Sequence, residues 1–373
     1  MTENVKHIVF VNHTRELHGS EQVMLETLRV CSAQGWHVTV VLPSKRPAGG
    51  LEQVIGQEAD IIYLNYKNSG GGLVRTIAIE LYNLPAVIRL TRWIRKNHPD
   101  IIYSNTSVTL PGVEAARRTH TPHIWHWHEL PGKEFGWTKL SLGVLRYWGR
   151  FSSKILFISA TQKDLWKKAL GDSSIPNARI VYNPLRTIRT HRQPQEKPVR
   201  IGYVGSFMER KNIPWLIWTV NQIATEYPVQ LDLYGAKNRH EKAYLRSLGN
   251  DSLAISIHDF TENVESAYAQ MDILVLPSWL ETMPLVVLEA MQAGVCVIQT
   301  THSGMAEIMH DGQECLFIDP ADNGSLREAL TRCMDSSYRN NIAAQGQSFV
   351  KEWMANNDYS SHILSLFNCL INP

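Results

Sequence analysis

Two series of short, β-rich apolar runs, each alternating with helical patterns and separated by one proline-rich break, constrain this chain more than any other feature. The first series comprises KHIVFVNH, WHVTVVLP, ADIIYLN, PDIIYSN and HIWHWHE, with helical spacing in EQVMLETLRVCSAQG, LPAVIRLTRWIRKN and PGVEAARRT between them. The second comprises VRIGYVGSF, VQLDLYG, AISIHDF, DILVLPS, GVCVIQT and ECLFIDP. Strands that alternate with helices predict parallel sheets with helices on both faces. The break, PLRTIRTHRQPQEKP, has three prolines and few apolar residues, as an exposed linker does. The expected division is a domain at 1–183, a linker at 184–198, a domain at 199–350, and a helical segment at 351–373 crossing back to the first domain.

A length of 373 residues agrees with two hydrophobic cores. No apolar run approaches the roughly 20 residues of a membrane-spanning helix, and the start of the chain has no leader-like pattern, so a cytoplasmic location is expected. The five cysteines lack Cys-x-x-Cys spacing, which argues against a disulfide framework or a cysteine zinc site. The net charge of +2 hides an asymmetry, because residues 1–184 carry 22 Lys+Arg against 14 Asp+Glu. That excess, with the mixed aromatic and basic segment TKLSLGVLRYWGRFSSK, predicts a peripheral contact with an anionic surface such as the inner face of the cytoplasmic membrane. A core-facing helix with a solvated basic face is the competing reading of that segment. No nucleic-acid motif accompanies the basic half.

The most informative stretch runs from Pro277 to Gly294. A strand ends in a loop, Pro284 suits a first helical turn, and Gly294 marks the helix end. Glu281 then lies just before a helix N-terminus, and Glu289 sits inside a helix that is apolar nearly all round. A buried carboxylate needs a partner, either a ligand or, within the protein, a buried arginine or backbone amides.

This stretch resembles glycosyltransferase family 4, which carries Pro-Ser at a strand end, two glutamates eight positions apart and Glu-Ala-Met before a glycine; here these are Pro277, Ser278, Glu281, Glu289, Ala290, Met291 and Gly294. The resemblance implies that Glu281 lies beside the donor sugar and that Glu289 accepts hydrogen bonds from the nucleotide ribose. Thr282, Met283, Pro284 and Leu285 would border the donor, although Thr-Met-Pro replaces the glycine-rich sequence usual there. Upstream, Gly205 to Asn212 resembles the family's first donor loop; Lys211 matches its phosphate-binding lysine, Ser206 stands where the family has arginine, and adjacent Arg210 is a candidate substitute. Ser303-Gly304-Met305-Ala306-Glu307-Ile308 resembles a later loop.

In the first half, Gly19, Ser20 and Glu21 resemble the family's acceptor-side glycine loop before a helix. His126 and His128 alternate onto one side of a strand; a metal site, a satisfied core histidine and a place near the donor sugar are the three readings. His128-Glu129 matches the family pattern best, with His126 secondary, and Ser159 and Asn183 are further family-like marks.

The resemblance therefore implies a GT-B fold, two doubly wound Rossmann-like α/β domains facing a central cleft, the first on the acceptor side and the second binding the nucleotide sugar. It implies retaining, metal-independent transfer of a hexosyl group from a nucleotide diphosphate sugar, which is a co-substrate and not a cofactor. The acceptor would be a glycan or lipid-linked molecule in bacterial lipopolysaccharide, O-antigen or capsule biosynthesis. His128, Glu281 and Lys211 are the expected catalytic residues. A catalytically silent glycan- or partner-binding homologue and a GT-B-fold nucleotide-sugar epimerase are the alternatives.

Overall fold

The computed structural model describes residues 5–44, 49–132, 137–138, 141–171, 175, 177–193, 198–250, 252–259 and 263–372. Its contacts divide the chain into two units, one of Met1–Pro184 with Asp358–Pro373 and one of Leu185–Asn357. The first unit is built on β1 (His7–Val11), β2 (His37–Pro43), β3 (Asp60–Leu64), β4 (Ile101–Asn105), β5 (His123–Trp127), β6 (Lys154–Phe157) and β7 (Ala178–Ile180). Its helices are α1 (Gly19–Ala33), α2 (Gly50–Ile55), α3 (Leu73–Asn97), α4 (Leu110–Thr119), α5 (Leu142–Gly149) and α6 (Ala160–Leu170). The second unit has β8 (Val199–Val204), β9 (Val229–Ala236), β10 (Ala254–Asp259), β11 (Ile273–Leu276), β12 (Cys296–Thr300) and β13 (Leu316–Ile318). With them run α7 (Ile213–Ile223), α8 (Arg239–Ser247), α9 (Glu265–Ala269), α10 (Leu285–Gln292), α11 (Ser325–Arg332) and α12 (Ser336–Asn356), while α13 (Tyr359–Ile371) belongs to the first unit.

Every strand pairing is parallel, in the orders β3-β2-β1-β4-β5-β6-β7 and β10-β9-β8-β11-β12-β13. The strands are short, and β1, β4, β5, β8, β11 and β12 are buried along their whole length, because helices cover both faces of a parallel sheet. Each order reverses direction once, between β1 and β4 in the first sheet and between β8 and β11 in the second. Loops leaving adjacent strands diverge at such a point and open a crevice at the strands' carboxyl ends, the usual ligand position in open α/β sheets.

Three departures from the sequence expectations matter. First, α3 begins at Leu73 and carries Pro85 inside it, whereas the sequence suggests a start near that proline. Pro85 lies on the exposed side of the helix, where water can satisfy the carbonyl that the missing N–H leaves unpaired. Second, the C-terminal stretch is not one helix. Asp358 caps a new one by accepting from Ser360 N, and Tyr359, Ile363 and Phe367 of α13 enter the first unit's core beside Leu28, Tyr103 and Cys31. Third, residues 185–193 are not a loose tether. Ile188 N donates to Gln292 Oε1 at 3.0 Å, Thr190 Oγ1 to Glu265 Oε2 at 2.9 Å and Arg192 N to the Ala293 carbonyl at 2.7 Å. Residues 194–197 of the expected linker lie outside the described residues.

Candidate functional site

Each unit gathers polar side chains at its own switch point. In the second unit, β8 runs into a loop in which Gly205 adopts φ 149°, and a Cβ there would stand 2.8 Å from the Tyr203 hydroxyl. That hydroxyl donates to the Ser206 carbonyl at 2.8 Å, so the loop's turn is set before it reaches the short 3-10 turn Glu209–Lys211. Across the switch point, β11 ends before Pro277 and Ser278. The loop that follows is tied to its neighbours: Trp279 N donates to the Arg210 carbonyl at 2.9 Å and Glu281 N to the His302 carbonyl at 2.9 Å.

This stitching brings Glu281 to Lys211 and Arg210. Lys211 Nζ and Ser278 Oγ donate to Glu281 Oε1, the latter at 2.6 Å, and Arg210 Nη1 donates to Oε2 at 3.2 Å and to the Leu280 carbonyl at 3.2 Å. Glu281 is buried, which by itself would raise its pKa; Lys211 and Arg210 beside it, with Lys211 and Ser278 as donors, outweigh burial and hold the carboxyl below its ordinary range. Ser206 supplies no side-chain charge, and the cation adjacent to Lys211 in this loop is Arg210. Thr282 and buried Met283 lead to Pro284, the N-cap of α10, and Leu285 is its first residue. The helix thus points its unpaired N–H groups toward the loop carrying Glu281.

Glu289 lies one turn further along α10 and is 6% exposed. Its carboxylate accepts from Arg186 Nε at 2.7 Å, from Arg186 Nη2 at 3.0 Å and from the Tyr268 hydroxyl at 2.8 Å. Of the protein partners open to this carboxylate, the structure supplies an arginine, and it comes from the segment read as a linker.

In the first unit, Gly19 and Ser20 are not a loop before the helix but its first two residues, with His18 as N-cap; an added Cβ on Gly19 would meet nothing within 4 Å. Glu21 is fully buried. Its Oε2 accepts from Ser20 Oγ at 3.0 Å, and its Oε1 accepts from Asn105 Nδ2 at 3.2 Å and lies 3.2 Å from His13 Nδ1. Asn105, at the end of β4, also donates to Asn12 Oδ1 at 2.8 Å, which fixes its amide orientation, so its Oδ1 accepts from His128 Nε2 at 3.0 Å. The His128 proton is therefore on Nε2, and Nδ1 carries the lone pair.

The rings of His126, on β5, and His128, just past the end of that strand, lie with centroids 4.0 Å apart. His126 Nδ1 is hydrogen-bonded to the Tyr103 hydroxyl. Burial pulls the His126 pKa down to about 3, and burial, reinforced by His126, takes His128 well below its ordinary value, so both rings are neutral near pH 7. Glu129 does not share in this cluster through its carboxylate, which accepts instead from the backbone N–H groups of Ser107 and His128. Among the residues that the sequence reading proposed, the structure joins Glu21 to His128 through Asn105 in one unit, and Lys211 and Arg210 to Glu281 in the other. It adds Asn12, His13, Asn105, Tyr268 and Arg186, none of which carries a local sequence signal.

Within the segment 138–154, of which residues 139–140 lie outside the described residues, the larger apolar side chains of α5 are mostly buried. Leu142, Leu145 and Trp148 of α5 enter the core with Trp125, Trp127 and Trp166, leaving Arg146, Tyr147 and Arg150 outside. The core-facing reading of that helix is the correct one. A stripe of exposed apolar residues lies on the first half of α3, where Val74, Ile77, Leu81 and Leu84 recur at helical spacing.

Two doubly wound parallel sheets, each with hydrogen-bonding side chains at its switch point, define a Rossmann-like α/β protein. The glycosyltransferase family 4 model matches residues 17–189 and the model for glycosyl transferases group 1 matches residues 198–336. The chain belongs to the family 4-like glycosyltransferases of the GT-B fold. It is 27% identical over 334 residues to the sulfoquinovosyl transferase SQD2 of Arabidopsis thaliana, covering 76% of this chain and 63% of that protein, so it spans less than two thirds of that relative's length. It is 27% identical over 157 residues to the lipopolysaccharide core biosynthesis glycosyltransferase LpsE of Rhizobium meliloti, covering 41% of this chain and 44% of the other. Among solved structures, Anabaena HepE in complex with UDP and glucose superposes with a TM-score of 0.76 at 17% identity, covering 99% of this chain and 100% of that one, a likeness of fold.

Proposed function

We propose that this chain is a retaining, metal-independent hexosyltransferase that moves a sugar from a nucleoside diphosphate to a glycan or lipid-linked acceptor of a bacterial surface polysaccharide, such as lipopolysaccharide, O-antigen or capsule. The observation that carries this reading is the meeting of Lys211, Arg210 and Glu281 at the second unit's switch point, beside the N-terminus of α10. Two cations and a helix N-terminus give a diphosphate charge-assisted donors. In the reaction the acceptor hydroxyl oxygen bonds to the anomeric carbon on the face from which the diphosphate departs. The bond from that carbon to the phosphate oxygen breaks, and the same oxygen takes the acceptor's proton. Lys211 and Arg210 stabilise the charge that grows on the departing phosphate. Glu281 and His128 orient the sugar, Glu289 accepts from the ribose, and Gly19, Ser20 and Glu21 serve the acceptor side. Support for a surface-polysaccharide role comes from the LpsE relative, and support for a nucleotide sugar donor comes from the UDP and glucose held by HepE. A panel of UDP-, GDP- and dTDP-sugars, scored for transfer and for free nucleotide, tests the reading. Transfer supports it, epimerised donor assigns the protein to epimerases, and binding without turnover assigns it to silent homologues.

The acceptor's setting extends the reading to an anionic membrane surface. On α3 the exposed stripe of Val74, Ile77, Leu81 and Leu84 continues along the same side into Arg89, Arg92, Arg95 and Lys96, all exposed. A helix side that is apolar in one half and basic in the other suits a lipid interface with negative headgroups. The protein is expected to float with anionic vesicles and not with neutral ones, and Ile77→Ser with Leu81→Ser to abolish flotation. Equal absence of the wild type from both vesicle types would exclude the membrane contact.

A further inference from the structure

We infer that Arg186 is a positioning residue for nucleotide binding, holding the Glu289 carboxylate in the one orientation from which it can accept a ribose hydroxyl. The inference rests on the ribose role proposed above for Glu289. A carboxylate offers about four lone-pair positions. On Glu289 three are taken: Arg186 Nε at 2.7 Å fills one on Oε1, and Arg186 Nη2 at 3.0 Å and the Tyr268 hydroxyl at 2.8 Å fill both on Oε2. The remaining position is on Oε1. Because the two Arg186 contacts form a planar fork, they also fix the carboxylate plane, and with it the direction of that last lone pair.

The arginine is itself held. Gln292, one turn after Glu289 on α10, donates its side-chain Nε2 to the Arg186 carbonyl at 3.0 Å, and its Oε1 accepts from Ile188 N at 3.0 Å. The backbone carrying Arg186 is thus docked on the same helix that carries Glu289. Tyr268, on the short α9, is fully buried and closes the other side. Without Arg186 the carboxylate would keep only the Tyr268 hydroxyl among these donors and would be free to rotate. The side chain of Arg186 is 48% exposed, so replacing it leaves no cavity in the core.

Calorimetry with uridine and UDP, and in parallel guanosine and GDP, tests the assignment on whichever pair binds the wild type. Arg186→Met is expected to weaken nucleoside and nucleoside diphosphate by the same factor, about tenfold, since it acts through the ribose that both share. Arg186→Lys keeps the charge but not the fork, and should recover only part of the loss. In a Glu289→Ala background Arg186→Met should add nothing. A loss confined to the diphosphate would mean a direct guanidinium–phosphate contact and overturn the inference, as would an undiminished loss in the Glu289→Ala background. If Glu289→Ala alone binds nucleoside as the wild type does, the ribose role fails and the inference with it. If Glu289→Ala weakens binding but Arg186→Met does not, only the positioning role fails.

Discussion

Both units bury a glutamate at the switch point of a parallel sheet, but they stabilise it with different partners. Glu281 meets two permanently charged side chains, Lys211 and Arg210, and stays ionised despite burial. Glu21 is also held below its ordinary range, but burial is outweighed there by the hydrogen bond and charge of a single histidine, His13, with the Ser20 hydroxyl and the Asn105 amide donating as well, next to histidines that burial keeps neutral. Fixed cations suit a ligand whose charge is large and always present, as a diphosphate's is. A carboxylate held by one titratable histidine and by directed amide and hydroxyl donors, beside neutral rings, suits hydroxyl groups, for which direction matters more than charge. The comparison teaches that burial alone does not assign a role to a carboxylate; its partners do.

The sharpest way to break this contrast is at His128. His128→Ala is expected to lower turnover about a hundredfold, the usual order for one directed hydrogen bond lost at a reacting group, with nucleotide affinity unchanged in calorimetry. A folded variant that transfers sugar at the wild-type rate would remove His128 from the reaction. A smaller effect comes from acid. His123 and His126 titrate at about 3 in the folded chain because they are buried, against an ordinary 6.5, and His128 is lowered in the same direction. Their stabilisation is complete above pH 6.5 and is lost as pH falls from there toward 3, because the unfolded state takes up the protons first. His13 opposes the trend: burial would lower it, but the hydrogen bond and charge of Glu21 raise it, so its contribution is present below 6.5 and fades as pH rises through its folded value. Glu281, lowered, loses its contribution only as pH drops through the carboxylate range. Hydrogen exchange between pH 6.5 and 5 should therefore show protection falling in β4 and β5 before the loop of Glu281. Simultaneous loss in both would contradict the distinction. Smaller again is Asn105→Ala, which strips a partner from His128 and from Glu21; the expected cost is about 1–3 kcal/mol of stability, measured by denaturant titration.

The two sites were also unequally legible. The stretch from Pro277 to Gly294 is contiguous, so strand end, loop and helix can be read together; Glu281 stands out by its place just before a helix N-terminus and Glu289 as a carboxylate in an apolar helix. Lys211 was visible because its loop follows a strand directly. Asn105 was not, since its bonds to Glu21 and Asn12 span 84 and 93 positions and an Asn at a strand end has many ordinary uses. Arg186 was hidden for a similar reason, lying 103 positions from Glu289 in a segment whose prolines and charges imitate a solvated linker. The alternation of strands and helices exposed the sheets themselves, because each strand's pattern is local. The break before α13 was missed because Asn357 and Asp358 interrupt an otherwise helical composition by a cap alone.

Lys211 and Glu289 are proposed to serve one donor site, the first binding the diphosphate and the second the ribose. Calorimetric titration of Lys211→Ala and Glu289→Ala with the nucleoside and the nucleoside diphosphate of the correct base tests it most directly. Losing a charge-assisted hydrogen bond costs roughly 1.5–3 kcal/mol, about tenfold to over a hundredfold in affinity. Lys211→Ala should show that loss for the diphosphate and almost none for the nucleoside, whereas Glu289→Ala should weaken both. Folded variants that bind both ligands as the wild type does would separate Lys211 and Glu289 from nucleotide binding.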